Sequence, residues 1–127
     1  MNAAGVAAVG IGAALGAWLR WWLGVAMNAL VPGLPMGTLA ANLIGGYLVG
    51  IAVTVFGQYG AFAPELRLFV ITGFLGGLTT YSTFSAESVS LLTTGRYGWA
   101  FAHTLAHLLG SIAMTMLGIA SVRVLQG

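Results

Sequence analysis

His103, His107, Ser111 and Thr115 recur at every fourth position of a segment that is otherwise apolar. That spacing puts all four on one stripe of a helix. Imidazole and hydroxyl groups supply donors and acceptors without a fixed full charge, so the stripe reads as a polar track for a small species. Scattered interhelical hydrogen bonds are the plainer alternative. Two histidines with little carboxylate near them in the sequence make a poor metal set. A second group lies between Thr72 and Ser85, where Gly76 and Gly77 precede the hydroxyl run Thr79, Thr80, Ser82, Thr83 and Ser85. Within it, Tyr81 and Phe84 are three apart and share a helix face. Aromatic residues at that spacing are usually core, yet a ring has a positive edge. Two such edges beside hydroxyls form a receiver for a small anion. Glu87 follows one turn beyond Phe84, and an acid at membrane depth costs about 2.5–3.5 kcal/mol unless paired or hydrated. It reads as a pore or proton-relay residue, or as a structural acid bonded to neighbouring hydroxyls. Asn42 joins two helices, at about 0.6 kcal/mol on average, or offers its N–H groups to an anion.

The elements that must position these groups are membrane spans. Of 127 residues 59% are hydrophobic and 5% charged, with a mean hydropathy of +0.99. Soluble domains carry about a quarter charged residues, so the chain is an all-α integral membrane protein. Apolar segments at about 4–23, 36–56, 66–92 and 99–125 each meet the roughly 20-residue length of a span. Together they form one transmembrane domain over residues 1–127. The first segment closes on Trp18, Trp21 and Trp22 around Arg20, a pattern of interfacial aromatics with a snorkelling cation. The apolar N-terminus has no basic stretch before it and reads as a retained helix. Pro32–Gly33–Leu34–Pro35, the 57–64 link and Thr94–Gly98 are the turns. The third segment, about 27 residues long, is too long for a straight crossing. Bare backbone cannot face lipid, so a break near Gly76–Thr80 must be buried in protein or line a polar cavity. Small residues four apart, Gly12 with Gly16 and Gly46 with Gly50, let helices approach closely in lipid.

The four arginines divide evenly. Arg67 and Arg123 flank the side holding the termini, and Arg20 and Arg96 the other. That removes the positive-inside bias and permits an antiparallel pair. No basic patch suggests nucleic acid. The lack of cysteine removes thiolate chemistry. Enzymatic motifs are missing as well: Ser82 or Ser85 with His107 is an imaginable nucleophile and base, but no G-x-S-x-G surrounds either serine.

Gly37–Thr38–Leu39–Ala40–Ala41–Asn42, followed by Gly73–Phe74–Leu75–Gly76–Gly77–Leu78–Thr79–Thr80–Tyr81–Ser82–Thr83–Phe84–Ser85–Ala86–Glu87, closely resembles the Fluc (CrcB) fluoride channels. Gly16–Trp21 and His107–Ser111 extend the likeness to the first and fourth spans. The resemblance implies a dual-topology, antiparallel homodimer in the bacterial cytoplasmic (inner) membrane. It would export cytoplasmic fluoride passively through two pores, each lined by both subunits and bordered by lipid. It also implies a structural Na⁺ at the dimer interface, held by backbone carbonyls that fall on Gly76 and Thr79. The family's phenylalanine pair falls on Tyr81 and Phe84, the first a departure that adds a hydroxyl. Its pore asparagine falls on Asn42, and its polar track on His107, Ser111 and Thr115. Ser82 and Thr83 are further donors, Glu87 is pore-associated, and Arg20 is a vestibule or structural residue. The competing expectation is a small multidrug-resistance-type, proton-coupled exporter. Such exporters carry a glutamate in the first span, where this chain has only Arg20.

Overall fold

The computed structural model describes all residues, Met1–Gly127, and is entirely helical. Helix α1 is Ala3–Met27, begun by Asn2, whose Oδ1 accepts the Gly5 N–H at 2.7 Å. Helix α2 is Met36–Gln58, entered through Pro35 and tied back to α1 by Thr38 N–H donating to Asn28 Oδ1 at 3.1 Å. The third span, Pro64–Thr93, is composite. It comprises α3 (Pro64–Arg67), a π-helical segment Leu68–Leu75, α4 (Gly76–Leu78) and α5 (Tyr81–Thr93). Helix α6, Tyr97–Leu125, follows Gly95, whose φ of 76° is open to glycine without penalty. Four helices are therefore long and apolar enough to cross a membrane. Only 23 of 127 residues are buried, which leaves a wide apolar surface of the kind lipid covers.

Glycine sets how closely these helices approach. A Cβ at Gly50 or Gly118 would collide with the backbone of α6 or α2 respectively, at Thr115 or Tyr47. A Cβ at Gly12 or Gly16 would strike the Phe69 or Phe74 carbonyl of the third span. Close backbone approach drives association where lipid removes the hydrophobic incentive. The glycine pairs thus join α2 to α6 and α1 to the third span. Leu23, Ala41, Ala52, Leu75 and Leu78 form the small core between them.

One local expectation is borne out and one changes. The break falls within Gly76–Thr80, at its far end: the helix continues through Gly77 and Leu78, then opens at Thr79 (ψ 155°) and Thr80 (φ −148°, ψ 117°). Gly77 instead gives α1 room, since its Cβ would meet the Ala13 carbonyl. Arg20 does not simply snorkel. Its Nε donates to the Gly77 carbonyl at 3.1 Å, so the cation braces the third span while Trp18, Trp21 and Trp22 stay exposed.

Candidate functional site at the broken third span

Asn42 lies at the centre of the break. Its Oδ1 accepts the Thr80 N–H at 2.7 Å, and its Nδ2 donates to the Thr80 carbonyl at 3.0 Å. This two-way clamp fixes which end of the amide is oxygen. It also takes the Thr80 N–H away from Gly76, its partner in a continuous helix. One turn on, the Thr83 N–H goes to the Thr80 side chain at 3.1 Å instead of to the Thr79 carbonyl. Both Gly76 and Thr79 carbonyls are thereby released from helical bonding. Hard carbonyl oxygens freed at one break fit an alkali cation.

The same amide sets the state of His107. Asn42 Nδ2 lies 2.9 Å from His107 Nδ1, and an amide nitrogen can only donate. Nδ1 therefore accepts, and the proton of the neutral ring is on Nε2. That Nε2 is buried without a partner. A buried unsatisfied donor in a native fold calls for a reason, and an N–H with no acceptor is a group suited to an anion.

Phe84 packs against both histidines, with ring centroids 5.3 Å from His103 and 4.8 Å from His107. The Phe84 and His103 planes differ by only 12°, a stack that fixes where the Phe84 edge points. Tyr81 is 5.6 Å away from Phe84 and almost wholly exposed on the single chain, at 83%. A cavity of about 520 Å³ is bordered by Asn42, Gly76, Thr79, Tyr81, Phe84, Thr104, His107 and Ser111 among others. It contains no full charge. A second space of about 320 Å³ lies on the far side of Thr80, between Arg20, Asn28, Thr38 and Thr83.

The fold gathers most of the expected residues and spreads the others. Asn42, Tyr81, Phe84, His107 and Ser111 share the larger cavity, with the released carbonyls at its wall. Thr115 lies outside it, its hydroxyl bonded at 3.0 Å to the Gly46 or Ser111 carbonyl, so the stripe continues as helix packing. Thr83 borders the smaller space, and Ser82 is exposed with its hydroxyl 3.5 Å from that of Thr80. Glu87 borders neither. Its Oε2 accepts from Thr38 at 2.7 Å and its Oε1 from His103 Nε2 at 3.0 Å.

That last contact corrects the expectation that the histidines lack a carboxylate. Ligand-type atoms of Glu87, His103 and His107 all lie within 4.8 Å of one another. Yet His103 Nε2 points a hydrogen at Glu87, and Asn42 occupies the His107 Nδ1 lone pair. A cation would have to displace both bonds, so the protons are set for acceptors and not for a metal. Thr38, Ser88 and Thr104 join the site without having been assigned to it, beside His103 of the polar stripe. Thr38 had a signal, since it precedes Asn42 by four and shares its face; Ser88 and Thr104 had none.

Comparison with known proteins supplies a family. A model of the family described as CrcB-like protein, Camphor Resistance (CrcB), matches residues 7–119. A protein of Nitrosospira multiformis named fluoride-specific ion channel FluC is 61% identical over 116 residues, 91% of each chain. Proteins of the same name from Cupriavidus pinatubonensis and Pseudomonas paraeruginosa are 58% and 54% identical. The alignments cover 98% of this chain and 99% of the first, and 96% of this chain and 96% of the second.

Proposed function

The chain belongs to the CrcB family, and from that premise and the site's geometry we propose that it is a fluoride channel, a passive conduit and not an enzyme. The observation that carries this is the buried, unpartnered N–H of His107, a residue that borders, with Tyr81 and Phe84, a cavity free of full charge. Fluoride is small and strongly hydrated. Neutral donors and positive ring edges compensate its dehydration without holding it as tightly as an ammonium or guanidinium would. Conduction needs that balance, since a site must be favourable enough to fill and weak enough to empty.

Asn42 acts in this reading by position. Both of its N–H groups are engaged, so it aims His107 and holds the break open. Ser111 is the next hydroxyl along the track. Ser82, Thr83 and Glu87 flank the route. Arg20 is structural through Gly77.

A second, antiparallel copy of the chain completes the pore. Tyr81, Ser82 and Ser85 are exposed on the single chain at membrane depth, where polar groups must face protein or water. The freed Gly76 and Thr79 carbonyls, repeated in the partner, would hold a structural Na⁺ between the subunits, supplying cationic charge that fixes the two breaks against each other. The assembly lies in the bacterial inner membrane, surrounded by lipid. A proton-coupled exporter finds no support in the first span, whose charge is the bound Arg20.

Fluoride efflux from liposomes containing the purified protein tests the function. Rapid release without a proton gradient, beside negligible chloride release, is expected. No fluoride release from folded protein would overturn it.

A further inference from the structure

The track contains an apparent contradiction. A carboxylate, Glu87, lies within 4.8 Å of the histidine that borders an anion cavity, and like charges repel. What faces it resolves the matter. Helix α2 contributes Thr38 and Asn42, which do not titrate. Helix α5 contributes Glu87 itself, with Tyr81 beyond Phe84. Helix α6 contributes His103 and His107. Arg20 on α1 is committed to Gly77, and no other charged side chain belongs to this cluster. Only the two histidines can counter the carboxylate.

Their partners separate them. A second proton on His107 would go to Nδ1, where Asn42 already presents an N–H and is held in that sense by Thr80. His107 is locked neutral. His103 Nδ1 lies 2.9 Å from the Ser88 hydroxyl, and a hydroxyl can turn from donor to acceptor. His103 can therefore take a proton at Nδ1 and keep every bond. The ring is fully buried, but Ser88 Oγ is 3.4 Å from Thr104 Oγ1, and Thr104 borders the larger cavity. A proton from cavity water has a route: it passes to Thr104, which gives its own to Ser88, and Ser88 gives its own to His103 Nδ1. The hydroxyls end as they began, each turned the other way, and His103 gains one charge.

We propose that His103 is a proton-operated positioning residue, charged along Thr104 and Ser88, which neutralises Glu87 beside the fluoride route and raises fluoride flux as the medium is acidified. This deepens the channel reading above and rests on it. Stacked on Phe84, the cationic ring also keeps that aromatic edge in place.

Histidine titrates ordinarily between pH 5 and 8, so the test is fluoride efflux from liposomes between about pH 8 and about pH 5.5. Protein-free liposomes correct for leakage of undissociated HF. The wild type should rise on the order of tenfold across that window, one unit charge being removed at short range. Ser88→Ala, which leaves Nδ1 no acceptor, and His103→Gln should both give flat profiles. Nitrogen NMR of labelled histidines in the purified wild-type protein gives a readout that does not depend on transport or on a variant folding. His103 should move to the cationic signature while His107 stays neutral with its proton on Nε2. A flat wild-type profile, an equal rise in Ser88→Ala, or titration of His107 instead would overturn the proposal. A folded protein that passes no fluoride at any pH would sink the channel reading, and the NMR titration would still decide the state of His103.

Discussion

Replacing Asn42 by alanine removes three hydrogen bonds at once, two to the Thr80 peptide and one to His107. Their loss is unequal. The Thr80 N–H has another acceptor one turn back, the free Gly76 carbonyl, so the break can rewind and that donor is not orphaned. The Thr80 carbonyl, at the N-cap of α5, loses its amide donor where Thr80 is 9% exposed. One such bond contributes about 0.5–1.5 kcal/mol net. The bond to His107 adds about 0.6 kcal/mol, the mean for side-chain bonds between helices in lipid. A destabilisation of about 1–2 kcal/mol follows. The functional loss should exceed what that stability change implies, because rewinding consumes the carbonyl proposed to hold Na⁺ and releases His107 from its tautomer. We expect fluoride efflux to fall at least tenfold in protein that still elutes as the wild-type species. Asn42→Asp separates the contributions: it keeps an acceptor for the Thr80 N–H, loses both donors and adds an anion. It should hold the break yet conduct no better than alanine. Wild-type efflux in Asn42→Ala would refute the clamp and the tautomer argument together.

Two further outcomes follow from packing and from the break. Gly50→Ala should destabilise the fold by about 1–3 kcal/mol, the usual result of overpacking. Its methyl would meet the α6 backbone at Thr115 and no flexible side chain; Gly57→Ala, with open space around it, is the matched control for the thermal unfolding measurement. Replacing Na⁺ by a bulky organic cation should lower the thermal midpoint of the purified protein. A hundredfold excess of ligand over its dissociation constant contributes about 2.7 kcal/mol, and a midpoint indifferent to Na⁺ would remove the ion from Gly76 and Thr79.

Much of the architecture is legible in the sequence because lipid simplifies the problem. A segment such as 36–56 has no stable state in hydrocarbon except a helix, so length and apolarity alone identify it. The glycine pairs announce close approach for the same reason. The third span's interruption is legible too, since hydroxyls crowded between apolar residues are poor company for lipid. Its exact residue within Gly76–Thr80 is not. Gly76 and Gly77 are the weakest helix formers there, yet the helix runs through them, because what opens it is a hydrogen bond from Asn42, thirty-eight residues away.

The periodicity of His103, His107, Ser111 and Thr115 fixes that they share a face, which is local geometry. What that face meets is decided by packing. Thr115 is turned onto the glycine contact at Gly46, and Glu87 is brought from another helix to His103. Most consequential is the proton on His107: no spacing encodes it, because it depends on which end of the Asn42 amide faces the ring, and the Thr80 peptide sets that. The sequence by itself determined the solvent, the helices and their contact stripes, all consequences of transfer free energy and a repeat of 3.6 residues. The tertiary structure decided which donors are left free, because a hydrogen bond depends on groups far apart in the chain meeting within about 3 Å.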